Sequence, residues 1–222
     1  MSGFPPLSPD LLLRAYAVGI FPMAEGADTT GLRWYDPPIR ALIPLDERFH
    51  VPGRLKRTLR RCPYRVTLNT AFTDVMYGCA APAPHRETTW INHEIVKLYT
   101  ALHNRGHAHS IEVWKDDQLI GGLYGVSLGR AFFGESMFSH LVDASKIGLV
   151  HLVALLRYCS YNLLDTQFQT PHLARFGTFE ITRANYQHLL SEALEKPALP
   201  FPAEPAWDHL LALSLQPVTQ MS

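Results

Sequence analysis

Residues Gly121–Lys146 read GGLYGVSLGRAFFGESMFSHLVDASK, and Asn162–Gln167 read NLLDTQ. Two strand-like runs, Leu119–Ser127 and Ala131–Ser136, flank the turn pair Leu128-Gly129, and a third, Ser110–Trp114, precedes them across Asp116-Asp117. Tight turns between such runs predict an antiparallel meander. Ala144–Tyr158 is strongly apolar with a helical period, and Asn162–Thr166 is a short buried strand. Glu135, Asp165 and Gln167 therefore fall where strand-like segments end, and strand ends are where a rigid scaffold presents its chemistry. A polar site without a cofactor is expected there.

Outward from this block, Tyr64–Leu68 reads as a strand, and Asn69 as the cap of a helix over Phe72, Val75, Met76 and Cys79. Residues 80–88, with two prolines, read as a loop. Ile91, Ile95, Leu98 and Leu102 recur at spacings of four, three and four, one face of a helix that Gly106 can terminate. Arg183–Leu194 makes a last helix. At the other end Ser8 can cap a short helix, Pro9 suits its first position, Leu11, Leu12 and Ala15 supply its apolar stripe, and Gly19 can close it. Between Phe21-Pro22 and Pro44 the prolines favour extended or turn structure. The resulting expectation is an α+β protein, with residues 1–62 as a small irregular N-terminal domain and 63–222 as a larger domain whose mixed sheet is flanked by helices.

Charge is balanced overall, with 20 basic and 20 acidic residues, but not locally. Between Glu47 and Asp74 there is no carboxylate, while Arg48, Arg54, Lys56, Arg57, Arg60, Arg61 and Arg65 fall inside the gap. A solvated helix face is the plain reading of such a run. The alternative is a contact with a phosphate backbone, which an uncompensated field of this sign favours. The three cysteines, Cys62, Cys79 and Cys159, are widely spaced and form no metal or disulfide pattern. The N-terminus has no leader-like pattern and no apolar run reaches membrane-spanning length, so a soluble, cytoplasmic monomer is expected. His103, His107 and His109 lack acidic or thiolate neighbours and are read as helix-cap and strand-start residues, not as metal ligands.

The element order resembles the acyltransferase fold shared by the GNAT N-acetyltransferases, in which a helix after the meander crosses over to a parallel strand. An acetyl-CoA-dependent N-acetyltransferase is therefore the alternative function. Enzymes of that kind hold the CoA pyrophosphate on a glycine-rich turn at the start of this helix. Residues 138–146 here, FSHLVDASK, contain no glycine. The basic segment points instead to an acyl donor attached to a nucleic acid.

A more specific resemblance is carried by YAVGIFP (16–22), Trp34-Tyr35 with Pro37-Pro38-Ile39-Arg40, Thr89-Trp90-Ile91, GHAHSIEVW (106–114), GGLYGV (121–126), GESMFS (134–139), Ala144-Ser145-Lys146 and Leu164-Asp165-Thr166-Gln167. Together these blocks are similar to the leucyl/phenylalanyl-tRNA–protein transferase family over roughly residues 10–190. The resemblance implies transfer of Leu, Phe or, less well, Met from aminoacyl-tRNA to proteins with N-terminal Arg or Lys, which marks them for N-degron degradation, without metal or cofactor. It implies that Asp165 and Gln167 sit at the reacting centre, the carboxylate orienting the amide or the amine, as base or as electrostatic anchor. Glu135 would face the cationic side chain of the acceptor. Leu123, Met137, Leu152, Leu156 and Leu164 are candidates for the donor side-chain pocket, with Leu152 and Leu156 standing where the family often has Phe. Tyr16 and Trp90 match positions that contact the terminal adenosine, and Met23 stands where other members can carry Trp. Arg54, Lys56, Arg57, Arg60 and Arg61 are the candidate tRNA phosphate contacts.

Overall fold

The structure, a computed structural model, describes residues 7–26, 32–61, 64–82 and 89–215. Cys62, the expected boundary at residues 62–63 and most of the expected 80–88 loop lie outside them. Helix α1 (Pro9–Ala17) begins as its sequence dictates, with the Leu11 amide donating to the Ser8 hydroxyl and Pro9 in the first turn. Gly19, at φ +80°, turns the chain out of the helix, and a Cβ there would meet Tyr186 and Gln187 side-chain atoms at 2.8 Å. Strands β1 (Phe21–Met23) and β2 (Arg33–Tyr35) then pair as a small separate ribbon.

Strand β3 (Ile39–Ile43) departs from the expectation of an irregular N-terminal unit. It lies inside the seven-stranded sheet, antiparallel to strands on both of its sides. Pro38 and Pro44 border the run without occupying it, so the prolines punctuate its ends and cost no ladder hydrogen bond. Helix α2 (Gly53–Arg60) comes next, burying Leu55 and Leu59 in the core of the large sheet. Residues 39–61 thus belong structurally with the larger sheet, which does not begin at residue 63.

The remaining elements are β4 (Arg65–Leu68), α3 (Phe72–Ala80), α4 (His93–Asn104), β5 (Ala108–Lys115), β6 (Gln118–Leu128), β7 (Ala131–Ser139), α5 (Ala144–Tyr158), β8 (Leu163–Gln167), α6 (Pro171–Ala174), β9 (Phe179–Thr182), α7 (Arg183–Leu194) and α8 (Trp207–Leu215). The sheet order is β4-β5-β6-β7-β8-β3-β9, and only the β7–β8 pair is parallel. The meander and its crossover helix α5 stand where the sequence places them. One face of the sheet packs on α2, α5 and α8, the other on α1, α3, α4 and α7. The protein is a mixed α+β structure with a mixed sheet flanked by helices, and none of its described helices is long and apolar enough to cross a membrane.

Asn69 does not cap α3. It adopts φ +60°, and its Oδ1 accepts from the Ser110 amide, tying the turn to β5. The start of α3 is served from a distance by Glu112, a fully buried carboxylate that accepts from the hydroxyls of Ser110, Thr67 and Thr70 and from the Ala71 amide. A negative group at a helix start also suits the helix dipole. Glu112→Ala leaves the buried Ser110 hydroxyl without its acceptor and opens a cavity beside Thr67 and the start of α3, so it is expected to lower the unfolding free energy by about 3 kcal/mol. Urea denaturation measures this, and Glu112→Gln, which retains an acceptor oxygen, should recover part of the loss.

Candidate active site

The site begins with an irregularity in β7. Gly125 of β6 pairs with Gly134 and Tyr124 with Ser136, leaving Glu135 as an extra residue without a ladder partner, a β-bulge. Gly125 is required opposite it: a Cβ there would meet the Phe133 carbonyl at 2.3 Å and the Phe132 ring at 2.4 Å. On the other side of β7, the parallel ladder to β8 has its last pair at Phe133 and Asp165. Beyond that pair the two strands part, and a cavity of about 900 Å³ fills the opening. Residues 134–140 of the β7 end and Leu164, Thr166, Gln167 and Phe168 of the β8 end line it.

The two faces of the sheet furnish the cavity differently. From the α5 face come Leu123, Met137, Leu149, Leu152, Leu164 and Leu173, all apolar, and from the other come Phe21, Met23, Trp90, Tyr124 and Phe138. Leu123, Met137, Leu152, Leu164 and Trp90 all line this one cavity, and so does Met23. Leu156 does not. One turn beyond Leu152 on α5, it lies fully buried in the core, with no face on the cavity.

Asp165 is also absent from the lining, and its surroundings explain why. It is 0% exposed and Arg40 1% exposed. The Arg40 Nε donates to both carboxylate oxygens at 3.1 Å and Nη2 to Oδ2 at 2.7 Å, while the Tyr186 hydroxyl donates to Oδ2 at 2.8 Å. Arg40 further donates through Nη1 to the Gly19 carbonyl at 2.8 Å, and its guanidinium lies between the Phe21 and Tyr186 rings, 4.7 and 4.3 Å from their centroids. Every nitrogen of the cation thus has an acceptor, which a buried ion pair needs to offset its desolvation. Asp165 Oδ1 also accepts from the Gln167 amide at 2.8 Å, a side-chain turn that closes over Thr166.

That turn displaces the end of β8. A β-bulge interrupts the pairing with β3 between Ala41 and Leu42, and Gln167 takes φ +58°. Side chains two apart on a regular strand share a face; here Asp165 points into the core, whereas Gln167 reaches the cavity. Gln167 is 7% exposed and its Nε2 has no hydrogen-bond partner among the described residues. Buried polar groups ordinarily have a hydrogen-bond partner, which sets this amide apart.

Glu135, half-buried, faces the cavity and rests on two buried phenols. The Tyr16 hydroxyl donates to Oε1 at 2.7 Å, Tyr99 lies 3.3 Å from Oε2, and the two phenol oxygens are also in hydrogen-bonding contact with each other. Burial pushes the Glu135 carboxyl up to about 7, against the lowering effect of the Tyr16 hydrogen bond and with a further rise from the Asp165 charge. Tyr16 is fully buried behind this carboxylate and does not line the cavity, so it supports Glu135 instead of touching a base.

The cations Arg54, Arg57, Arg60 and Arg61 lie on the outer surface of α2 and at its end, with Lys56 half-buried beside them, and none of the five pairs with a carboxylate among the described residues. The histidines engage separately: His103 Nδ1 donates to the Ala108 carbonyl and its ring stacks on Phe72, while His109 Nδ1 pairs with Asn69. Arg40, Tyr99 and Tyr186 had no role in the sequence reading. The available signal for Arg40 was a lone cation in the apolar run IRALI, which a central strand tolerates only with a buried anion.

An apolar recess, a carboxylate and an unpaired amide meet where two strands part, an arrangement in keeping with a group transferase. Comparison with known proteins makes the class specific. Family profiles described as leucyl/phenylalanyl-tRNA protein transferase and its N-terminal domain match residues 42–191 and 6–38. Leucyl/phenylalanyl-tRNA–protein transferases from Nitrobacter winogradskyi and from Rhodopseudomonas palustris strain TIE-1 are 58% and 57% identical over 189 residues, each alignment covering 85% of this chain and 84% of the relative. The chain belongs to the leucyl/phenylalanyl-tRNA–protein transferase family. A solved structure of a functionally unknown conserved protein from Staphylococcus epidermidis overlays at TM-score 0.41 with 10% identity, covering 80% of this chain and 66% of that one, too distant a likeness to bear on function.

Arg40→Met leaves Asp165 buried and unpaired, and is expected to cost about 3–5 kcal/mol of stability. The double variant Arg40→Met/Asp165→Leu should regain most of that in urea denaturation while remaining inactive, since it lacks the turn that places Gln167.

Proposed function

We propose that the protein transfers Leu, Phe or Met from aminoacyl-tRNA to the N-terminal Arg or Lys of acceptor proteins, the product being a destabilising N-terminus for N-degron proteolysis. The observation that carries this reading is the pair of unlike walls on one cavity, apolar on the α5 side and with the Glu135 carboxylate at the strand ends. An unbranched apolar donor side chain fits against Leu123, Met137, Leu152 and Leu164, with Leu149 and Leu173 completing the wall. Trp90 offers a stacking surface to the terminal adenosine, with Phe21 and Met23 beside it. Met23 and Leu152 widen their respective regions relative to members with aromatic residues there. The N-terminal segment completes the tRNA end of the site through Phe21 and Met23. The crossover from β7 through α5 to a parallel β8 supports a GNAT-like acyltransferase unit from residue 63 onward, extended by β3.

An aminoacyl ester is already activated, so catalysis requires alignment, a neutral amine and stabilisation of the tetrahedral oxyanion. Gln167 Nε2 is the donor for that oxyanion. Asp165 is a positioning residue: paired with Arg40 and hydrogen-bonded by Tyr186, it fixes the Gln167 backbone. The negative charge of Glu135 draws the cationic N-terminus of the acceptor into the cavity, which selects against neutral residues less strongly attracted to it. Acetyl-CoA is disfavoured as donor because its pyrophosphate would meet the Asp143 carboxylate at the start of α5, held there by Lys146 at 2.6 Å. The cationic surface of α2 meets tRNA phosphates.

The direct test is peptide-bond formation from charged Leu-tRNA or Phe-tRNA with Arg-, Lys- and Ala-N-terminal peptides. Products are expected with the first two; equal transfer to all three, or none to any, would sink the reading. Gln167→Glu keeps an acceptor but loses the N–H donor, so kcat/KM should drop about 100-fold with folding intact. Replacing Arg57 and Arg60 with Ala should weaken tRNA binding uniformly across tRNA sequences and reduce the slope of log K against log salt by about 2.

A further inference from the structure

We propose that Glu135, with Tyr16 and Tyr99 behind it, forms a three-membered proton store that takes the proton released when the acceptor's ammonium becomes a nucleophilic amine; this rests on the transferase reading above. Protons and contacts do not match in number here. Three oxygen-to-oxygen contacts link the groups: Tyr16 to Glu135, Tyr99 to Glu135, and Tyr16 to Tyr99. With Glu135 ionised, the two phenols hold only two protons, so one of the three contacts has no hydrogen between its oxygens. A proton arriving on the carboxylate supplies the missing one. The ring then closes with the carboxyl donating to Tyr99, Tyr99 to Tyr16, and Tyr16 back to Oε1, a cyclic arrangement in which each bond polarises the next.

The location suits the task. Both phenols are fully buried, so the stored proton is shielded from bulk water on that side, whereas Glu135 opens onto the cavity. The other groups that face it are Tyr124 from β6, Asp165 from β8 and Arg40 from β3, with Cys79 of α3 beside Tyr124 and Tyr186 of α7 beside Asp165. Asp165 and Arg40 neutralise one another at 2.7 Å, leaving Glu135 as the carboxylate free to change charge. Its value of about 7 lies close to that of an α-amino group, ~8, so transfer between them is nearly balanced.

In the step itself, the acceptor ammonium gives one proton to Glu135, and its nitrogen lone pair attacks the ester carbonyl carbon. The tetrahedral intermediate then breaks the carbon–oxygen bond to the tRNA ribose, and a second proton passes from nitrogen to the departing oxygen. Amide and ribose hydroxyl result, and Glu135 returns its proton to solvent when product leaves.

The test is the pH dependence of kcat/KM for an Arg-N-terminal peptide at saturating Leu-tRNA, in the wild type, Tyr99→Phe and Glu135→Gln. The wild type should rise through an acidic limb near 7. Tyr99→Phe removes the oxygen to which the protonated carboxyl donates and opens the ring, so that limb should move to lower pH, and a move to higher pH would make Tyr99 only a donor to the ionised carboxylate and overturn the store. Glu135→Gln should be about 100-fold slower at neutral pH and follow only the amine's own ionisation, near ~8. An unmoved limb in Tyr99→Phe, or a wild-type profile lowered uniformly in Glu135→Gln, overturns the proton role and leaves Glu135 as a charge that binds the acceptor. If Glu135→Gln makes no measurable product, the Tyr99→Phe profile decides alone. Absence of product from the wild type at every pH would defeat the transferase reading instead.

Discussion

The buried pair of Arg40 and Asp165 is the contact on which the rest of the structure depends. It joins three parts of the chain that are far apart in sequence: the turn after α1 through the Gly19 carbonyl, β3 through Arg40, and the end of β8 through Asp165. Tyr186 adds α7 to the same knot. A fully buried arginine needs acceptors, and here every nitrogen has one, so removing either Arg40 or Asp165 strands the charge of the other. The N-terminal segment is thereby held against the sheet at the place where it supplies Phe21 and Met23 to the cavity.

From that pair the geometry of the site is set. Asp165 captures the Gln167 amide, the strand end turns, and the glutamine side chain is aimed into the opening with an unmet donor. On the facing strand the Glu135 bulge removes one residue from the ladder and turns a carboxylate toward the same opening. The sheet thus gives up backbone pairing at a bulge within β7 and at the end of β8, and the cavity lies between them. Both features cost stability locally, through a left-handed residue and a buried carboxyl, and the surrounding core of α1, α4, α5 and α7 is what sustains them.

The polar groups divide into those with settled partners and those without. Asp165 and Glu112 are carboxylates with every oxygen engaged by donors inside the protein, one by a cation and a phenol, the other by hydroxyls at the start of α3. Glu135 has one proton too few for its contacts, and Gln167 has one donor too many. The proposed chemistry falls to the second group, whose bonding the fold leaves open.

The meander, helix α5, strand β8 and helix α7 were legible because each is set by local periodicity and turn chemistry: Leu128-Gly129 and Asp116-Asp117 turn the chain whatever surrounds them. Asp165 and Gln167 do stand at the end of an apolar strand, whereas Glu135, expected at a strand end, is a bulge within β7, which pairs on to Ser139. What local pattern could not convey is pairing at a distance. IRALI is five residues between prolines, and only the open edges of β8 and β9 make it a central strand. Asn69 has the chemistry of a helix cap, but β5 offers its side chain a better-placed partner. Leu156 stands one turn from Leu152, and Tyr16 matches a family position that contacts the adenosine, yet depth in the core separates Leu156 from Leu152 and places Tyr16 beneath Glu135. By itself, then, the sequence determined the elements, their order and the residue types at the site, because these depend on neighbours along the chain. Which of those residues faces substrate and which is locked to a partner was decided only by the tertiary structure, because burial and charge pairing depend on neighbours across it.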